Sequence, residues 1–351
     1  MNDSPVYWFA LKKIKGIGDI KYVELLEKYK DPELILKKII KPDNLQELID
    51  FGEKIYEKCL RHKIEVITYF DKYYPEDLKN IHSSPPFLFY KGNKELLLKK
   101  DKVAVVGSRN PSSYGKKIID IFIPELLKFN IIIVSGLAKG IDGYAHRVVL
   151  NEKGDTIAVT GSGLDIKYPS SNKKLYDEIS EKGLIISEFF PGTPPEAPNF
   201  PKRNRIISAI SKGVVVIEAG KKSGSIITAM HAVEQGKDVF AFPGNIFSFK
   251  SMGNHFLIKN GAYLIENTKD LLEILFPEKL KISDKYLEKP EPEFSNEKEK
   301  YIYEILKNEP LSFDNIVAIT SFDFSEIFTI LSNLQLKGLV YEQPGKIYTA
   351  I

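Results

Sequence analysis

The chain has 351 residues, which indicates two or three domains at about 150 residues per domain. Hydrophobic residues make up 43% of it and charged residues 28%, a balance that excludes wholesale disorder, a collagen-like chain and a small disulfide-stapled scaffold. The formal net charge is only +3, so a charged partner could be inferred only from local clustering of charge. The single cysteine, Cys59, can form neither an intrachain disulfide nor a multi-cysteine zinc site. No apolar run approaches the ~18 residues that span a bilayer, so we expect a cytoplasmic protein with no membrane segment.

Residues 1–70 are lysine-rich and have the apolar spacing of helices. Gly16-Ile17-Gly18 lies between two such stretches, and a Gly-apolar-Gly turn between helices is typical of helix-hairpin-helix modules, whose backbone N–H groups face DNA phosphates. We predict a helical SAM-like or helix-hairpin-helix-like domain here. Because the motif is short, we favour a purely accessory role over DNA contact.

Six short apolar runs follow in the middle of the chain, beginning at Val103, Ile131, Thr156, Leu184, Val214 and Val239. They start 25 to 30 residues apart, which is about the length of a strand plus a crossover helix. Their apolar character is continuous rather than alternating, which indicates burial on both faces and a mainly parallel sheet. Residues 262–265 are a candidate seventh strand. We therefore predict an α/β fold for residues 71–278, a doubly wound, Rossmann-like sheet.

Small-residue and polar loops follow these strands, among them Gly107-Ser108-Arg109, Ser135-Gly136 and the loop that begins at Gly161. Ligands of open α/β sheets bind at the carboxyl ends of the strands, where helix N-termini offer free N–H groups. Ser223 or Ser225 is placed to cap the helix after the fifth strand. The sequence therefore predicts a ligand at this edge of the sheet.

Cations are concentrated in the same loops. They are Arg109, Lys139, Lys167, Lys202, Arg203, Arg205, Lys221 and Lys222. This cluster predicts a phosphate-bearing ligand longer than a mononucleotide, since arginine forks fit phosphates. For Lys167, Lys221 and Lys222 the alternative stays open that a lysine-rich surface simply carries lysines.

Aromatic side chains lie beside these cations in sequence, namely Tyr168, Phe189, Phe190 and Phe200. Basic residues interleaved with aromatic ones suit single-stranded nucleic acid, because bases stack on the rings while cations contact the backbone. The alternative is that the rings cover the sheet edge as core, and for Phe190 we favour that alternative.

Common cofactor motifs are absent from the sequence. Gly161-Ser162-Gly163 has Ile166 where a dinucleotide fingerprint has its third glycine, no Walker A loop occurs, and the five histidines lack metal-ligand spacing. We expect no cofactor and no metal, and we interpret His146 as a structural helix residue rather than a base.

Four acids lie near predicted strand ends: Asp142, Asp165, Glu188 and Glu218. They could perform acid/base chemistry on a nucleotide, or they could anchor the arginines and cap helices, and we favour the second interpretation. The rival hypothesis for the whole chain is a nucleotide-processing enzyme of the N-glycosidase type in the same cleft.

Residues 279–296 contain Pro290, Pro292 and dense charge without an apolar period, which predicts a linker. Residues 297–351 then read as helices over 298–307, 312–319 and 324–337 and strands over 340–343 and 347–350, the order of a winged helix. The third helix has few cations, and we expect Phe322, Phe324 and Phe328 to face the core. We therefore favour a structural or protein-interaction role over a regulator of double-stranded DNA.

The middle region resembles the DNA-processing protein A family, DprA or Smf. The resemblance extends over a series of short blocks in family order, at 106–109, 114–115, 135–142, 145–146, 161–165, 168–169, 172, 187–188, 200–207, 223–229, 234–236 and 239–244. The chain departs from the family at His255, where an asparagine is usual.

The resemblance implies a single-stranded DNA-binding protein of natural transformation (competence) and homologous recombination, which protects incoming strands and helps to load the RecA recombinase. It implies a homodimer built through the Rossmann-like domain and no catalytic activity. Its positive pocket corresponds by position to Arg109, Lys139, Lys202, Arg203 and Arg205.

We expect the arginines to grip phosphates and the glycine loops to supply backbone N–H groups. The predicted DNA-binding residues are Gly107, Ser108, Arg109, Ser135, Gly136, Lys139, Gly161, Phe200, Lys202, Arg203, Asn204, Arg205 and Ser223.

Overall fold

The computed structural model describes residues 4–283 and 294–350. The chain divides into two compact units, Met1–Lys281 and Ile282–Ile351. Of the linker predicted at 279–296, residues 284–293 lie outside the described part, and its first residues belong to a helix that ends at Ser283.

The first unit combines helices with a nine-stranded sheet. Its helices are α1 (Val6–Lys13), α2 (Asp19–Tyr29), α3 (Pro32–Ile39), α4 (Pro42–Arg61), α5 (Glu76–Lys79), α6 (Ser113–Lys128), α7 (Ile141–Asn151), α8 (Lys173–Lys182), α9 (Asn199–Ala209), α10 (Gly224–Glu234), α11 (Met252–Lys259), α12 (Thr268–Leu275) and α13 (Pro277–Ser283). Its strands are β1 (Glu65–Thr68), β2 (Phe87–Gly92), β3 (Lys102–Val106), β4 (Ile132–Ser135), β5 (Thr156–Val159), β6 (Leu184–Ser187), β7 (Gly213–Val216), β8 (Asp238–Ala241) and β9 (Tyr263–Leu264).

The sheet has the strand order β1-β2-β6-β5-β4-β3-β7-β8-β9. All seven predicted strands, β3 to β9, are present and pair in parallel, so the α/β prediction is confirmed. β1 and β2 are two further strands that pair antiparallel with each other, and β2 pairs antiparallel with β6. The boundary predicted at residue 70 falls between these two paired strands, so the sheet extends into the predicted N-terminal region.

The chain reverses its direction of winding at β3, which has β4 on one side and β7 on the other. The crossovers on the two sides of such a point lead away from each other and leave a crevice at the carboxyl ends of the strands. The loops after β3, β4 and β7 therefore surround the place where a ligand is expected.

The N-terminal helices pack on the antiparallel edge of this sheet. Phe9 of α1 is fully buried, and its ring centroid lies 5.3 Å from that of Phe87 and 5.7 Å from that of Phe190. The predicted core position of Phe190 is thus confirmed. The turn predicted at Gly16-Ile17-Gly18 does connect two helices, α1 and α2.

The second unit consists of α14 (Glu297–Asn308), β10 (Leu311–Ser312), α15 (Phe313–Thr320), α16 (Phe324–Leu336), β11 (Val340–Gln343) and β12 (Ile347–Ala350). Its three strands form an antiparallel sheet in the order β10-β12-β11. The winged-helix prediction is therefore confirmed, with β10 as an additional strand.

The core face of α16 differs from the prediction. Phe322 is partly buried, but Phe324 and Phe328 are 67% and 59% exposed. Ile327, Ile330, Leu331 and Leu334 form the helix's buried stripe, at the i, i+3, i+4 and i+7 spacing that fills one face, so the two phenylalanines lie outside it.

Within the described residues no single helix has the length and apolarity to span a membrane; α15 and α16 meet that test only as a pair, with a 117° bend between them.

His146 in α7 is fully buried, and its Nδ1 lies 2.7 Å from the hydroxyl oxygen of Thr156. Burial, with a further contribution from the charge of Arg203, lowers the pKa of His146 to about 3. The imidazole is therefore neutral at physiological pH and packs inside the fold, which confirms the structural interpretation.

This buried imidazole makes stability depend on pH. The unfolded chain protonates His146 near its ordinary value of 6.5 and the folded chain only near 3, so acidification below pH 6.5 favours unfolding. Below pH 6.5, where the imidazole of the unfolded chain is protonated, each further drop of one pH unit should lower the free energy of unfolding of wild type. The loss should be about 1.4 kcal/mol larger than in His146→Gln. Urea denaturation at pH 7, 6 and 5 measures this, with His62→Gln at an exposed position as control. Parallel pH curves for wild type and His146→Gln would contradict it.

Candidate functional site

A cleft lies at the carboxyl ends of β3, β4 and β7, where the strand order reverses. At the base of the cleft, the loop after β4 lies against the loop after β3. Gly140 of the first loop faces the backbone carbonyl of Ser108 in the second. Gly140 has φ +91°, and a Cβ atom there would lie 2.3 Å from that carbonyl oxygen. Only glycine allows the two loops to meet in this way.

The cleft contains two cavities, of about 760 Å³ and 180 Å³, which share Arg109, Ala138, Tyr168 and Phe200 in their walls. Most of the predicted DNA-binding residues line one or both cavities, namely Gly107, Ser108, Arg109, Gly136, Lys139, Gly161, Phe200, Arg203, Asn204 and Ser223. Ser135, Lys202 and Arg205 do not. The buried hydroxyl of Ser135 donates to the carbonyl of Val105 and serves to join two strands.

Aromatic rings form the shared wall. The centroids of Phe200 and Tyr168 are 5.8 Å apart, and the guanidinium carbon of Arg109 lies 5.5 Å from the centroid of Phe200. A Cβ atom on Gly161 would lie 3.0 Å from the Phe200 ring, so glycine makes room for it. Tyr168 was missed in the predicted set, although the signal that identified Phe200, an aromatic residue in a post-strand loop beside cations, applies to it equally.

Three cations of the cleft carry exposed side chains, Arg109, Lys139 and Lys222. In the described part of the chain no carboxylate lies within salt-bridge distance of any of them. Lys222 thus lies in the cleft wall, and its role there stays a prediction. Lys167, in contrast, pairs with Asp177 at 2.5 Å.

Arg203 lines the cleft but has a different use from the one expected. It is 4% exposed, and its Nη1 donates to the carbonyls of Gly136, at 2.6 Å, and of Val159. Burial lowers the pKa of Arg203 to about 10, while the buried carboxylate of Asp142 opposes that change. Asp142 accepts hydrogen bonds from the backbone N–H groups of Gly107 and Gly136. Arg203 and Asp142 therefore hold strand ends in place.

Arg205 is 7% exposed and lies in a buried ionic network rather than in the cleft. Its Nη2 is 2.5 Å from Glu188 and 3.8 Å from Asp19, and Lys202 lies 3.3 Å from Glu188. Lys12 contacts Asp19 as well, and burial lowers its pKa to about 8. The expectation that Arg205 and Lys202 grip phosphate from the cleft wall is not supported by these positions. They join α9 to the turn between α1 and α2.

The remaining acids have structural partners too. Glu218 accepts hydrogen bonds from the backbone N–H of Ser112, at 2.7 Å, and from its hydroxyl, at 2.6 Å, and thereby fixes the start of α6. Asp165 accepts from the backbone N–H of Gly192 at 2.8 Å. Glu188 and Asp142 thus lie against arginines and Glu218 holds the N-cap of α6, as the anchoring interpretation predicts, whereas Asp165 fixes a loop and contacts neither an arginine nor a helix start.

His255, at the position where the chain departs from the usual family pattern, has its Nε2 3.0 Å from the carbonyl oxygen of Gly244. The preceding Asn254 is buried, and its amide donates to the carbonyls of Val216, Ile217 and Phe242. Together they fasten α11 to the ends of β7 and β8.

Two family models match this chain. That of "DNA recombination-mediator protein A" covers residues 65–276, from the first residue of β1 to Phe276 directly after α12, and that of the "DprA winged helix domain" covers residues 288–346.

Individual proteins match over similar lengths. The DNA processing protein DprA of Streptococcus pneumoniae is 43% identical over 272 residues, which are 75% of this chain and 95% of that protein. Its X-ray structure matches with a TM-score of 0.69 and 41% identity, covering 77% of this chain and 98% of that one. Protein Smf of Synechocystis is 33% identical and covers 99% of both chains. A structure of DNA processing protein A from Helicobacter pylori, described for its single-stranded DNA binding mode, has a TM-score of 0.56 and 31% identity and covers 62% of this chain and 97% of that one.

The ionic network at Arg205 predicts a stability effect. Glu188→Ala leaves the Arg205 guanidinium buried with only Asp19 at 3.8 Å, and we expect a loss of about 3–5 kcal/mol in the free energy of unfolding. Lys202→Ala is the control, since its side chain is 43% exposed and its pairs contribute less than about 1 kcal/mol. Urea denaturation of both variants compares them. Equal losses would mean that Arg205 does not depend on Glu188.

Proposed function

Because the chain belongs to the DNA recombination-mediator protein A family (DprA or Smf), we propose that it binds single-stranded DNA in the cleft at the ends of β3, β4 and β7. The observation that carries this proposal is the arrangement of Arg109, Lys139 and Lys222 around the paired rings of Phe200 and Tyr168. The Helicobacter pylori relative, whose structure concerns its binding of single-stranded DNA, supports the same ligand.

Each part of the cleft has a role in this proposal. The three exposed cations contact phosphates, and the rings of Phe200 and Tyr168 stack on bases, whose faces are accessible only in a single strand. Ser223 caps α10, so the N-terminal N–H groups of that helix face the same cavity and favour an anion. Arg203 is buried in the cleft wall, so it contributes positive electrostatic potential rather than a direct contact with phosphate.

We propose that the protein is not an enzyme. Acid/base chemistry of the N-glycosidase type would require a carboxylate free to meet the substrate. Both oxygens of Glu218 accept hydrogen bonds from Ser112, Glu188 is paired with Arg205, and Asp142 is buried against Arg203.

The wider function that we propose is in natural transformation and homologous recombination in the cytoplasm. The protein would protect incoming single strands and help to load a RecA-type recombinase. A homodimer through the Rossmann-like domain fits the exposed apolar residues on α11 and β9: Met252, Phe256, Tyr263 and Leu264.

The winged helix takes no part in duplex reading in this proposal. Phe324 and Phe328 are exposed on α16, and Glu326 of the same helix pairs with Lys298 at 2.7 Å. A helix that enters the major groove needs cations and polar base readers on its exposed face. An interaction with another protein suits this surface better.

The cation set gives a quantitative test. We expect Arg109→Ala, Lys139→Ala and Lys222→Ala to weaken binding of oligo-dT and of other single strands alike. Each should flatten the slope of log affinity against log salt by about 0.7, and the triple variant should flatten it by about 2. Lys128→Ala, exposed at the C-terminal end of α6 and hence at the opposite edge of the sheet, is the matched control.

Fluorescence anisotropy with a labelled oligo-dT, competed by a duplex of equal length across a salt titration, measures these slopes. Preference for the duplex, or a slope unchanged in the triple variant, would contradict the proposed site.

A further inference from the structure

The loop between β8 and α11 holds three large apolar side chains in solvent. Ile246, Phe247 and Phe249 are 73%, 88% and 80% exposed. We call residues 245–250 the aromatic loop. Three such side chains within a few residues form a patch of the kind that marks a binding site, because leaving it in water is unfavourable.

The aromatic loop is ordered by its own hydrogen bonds. The backbone N–H of Phe247 donates to the side-chain oxygen of Asn245 at 2.8 Å, and that of Ser248 donates to the carbonyl of Asn245 at 3.0 Å. The backbone N–H of Ser251 donates to the carbonyl of Ser248 at 3.0 Å. The rings are therefore held outward by a defined turn, which lowers the entropy lost when a ligand packs on them.

The loop adjoins the DNA cleft. Gly220, which lines the large cavity, lies so close that a Cβ atom on it would be 3.5 Å from the carbonyl oxygen of Phe249. Just beyond, the backbone N–H of Gly253 donates to the carbonyl of Ala219 at 2.7 Å. A ligand that leaves the cleft past Gly220 thus reaches the aromatic loop directly.

Polar groups line a cavity beside the aromatic loop, and lysines are part of the loop and of the neighbouring segment at Gly220. A cavity of about 600 Å³ lies on one side and is lined by Ser112, Tyr114, Glu218, Asn245 and Ser248 among others. The side-chain amide of Asn245 and the hydroxyl of Ser248 can donate hydrogen bonds to the edges of nucleobases, whereas Ser112 and Glu218 are already hydrogen-bonded to each other. Lys221 and Lys222 directly follow Gly220, and Lys250 follows Phe249.

We propose that the aromatic loop is a second base-stacking site, on which Phe247 and Phe249 hold nucleobases of a single strand that extends out of the cleft. The proposal rests on the proposed function of the cleft. Lys250, which directly follows Phe249, and Lys221 and Lys222, which directly follow Gly220, favour a polyanion over an apolar protein surface, and continuity with the cleft places successive nucleotides there. Stacking on a ring is tolerant of base identity, so the site lengthens the bound segment without adding sequence preference.

The test uses the full chain with the double variant Phe247→Ala/Phe249→Ala. Labelled oligo-dT of increasing length, and a long oligomer whose outer nucleotides are abasic, are the probes. We expect equal affinity for short oligomers that fill only the cleft, and affinity lower by about tenfold per lost ring for long ones. The salt slope should stay unchanged, since no charge is removed, and the partly abasic oligomer should bind to variant and wild type alike. Phe328→Ala, an exposed phenylalanine of the second unit, is the matched control.

Three results would overturn the proposal. One is a double variant that binds every length as wild type does, and another is an equal loss of affinity for short and long oligomers. The third is sedimentation in which the variant loses affinity only by dissociating into monomers, which would assign the loop to a protein interface. Failure of the cleft itself would appear differently, because wild type would then bind no single strand and Arg109→Ala would change nothing.

Discussion

The guanidinium of Arg203 ties the ends of β4 and β5 together, and the shape of the cleft depends on it. A buried cation is unfavourable unless hydrogen bonds and opposite charge compensate it, and here the carbonyls of Gly136 and Val159 and the carboxylate of Asp142 do so. Asp142 in turn accepts hydrogen bonds from backbone N–H groups of the loops after β3 and β4. These buried groups together therefore fix several glycine-containing loops, while Arg109, which lies near enough to disfavour the charge on Arg203, adds unpaired positive charge at the surface.

Much of the fold could be predicted because its signals are local. Continuous apolar runs such as the one at Val103 identified every parallel strand, and their spacing placed crossover helices between them. The doubly wound fold then brought the post-strand loops to one edge, which correctly grouped Arg109, Lys139 and Phe200 in one cleft. β1 and β2 escaped prediction because they form an antiparallel pair at the sheet's edge, outside the regular strand-plus-helix spacing that identified the parallel strands.

The misassigned side chains share another cause, which is that their partners are distant in sequence. Arg205 looked like a phosphate ligand because nothing nearby in the chain neutralises it, yet Glu188 and Asp19 do so across the fold. Lys202 also pairs with Glu188, although its side chain is largely exposed. Phe324 and Phe328 were assigned to the core by hydrophobicity, but an aliphatic stripe on α16 already fills that face. Sequence thus grouped most of the predicted residues in one cleft but did not separate exposed charges from buried ones.

That separation has a consequence for how the protein responds to ionic strength. Added salt screens charges that lie in solvent within a Debye length of about 8–10 Å, and it screens buried pairs much less. The contacts available to a polyanion at Arg109, Lys139 and Lys222 are of the first kind, whereas Lys12, Asp19, Glu188 and Arg205 form a network of the second kind. Added salt can therefore dissociate a polyanion from the cleft while the buried ionic network stays formed. Binding and release of the polyanion then require no refolding of the cleft.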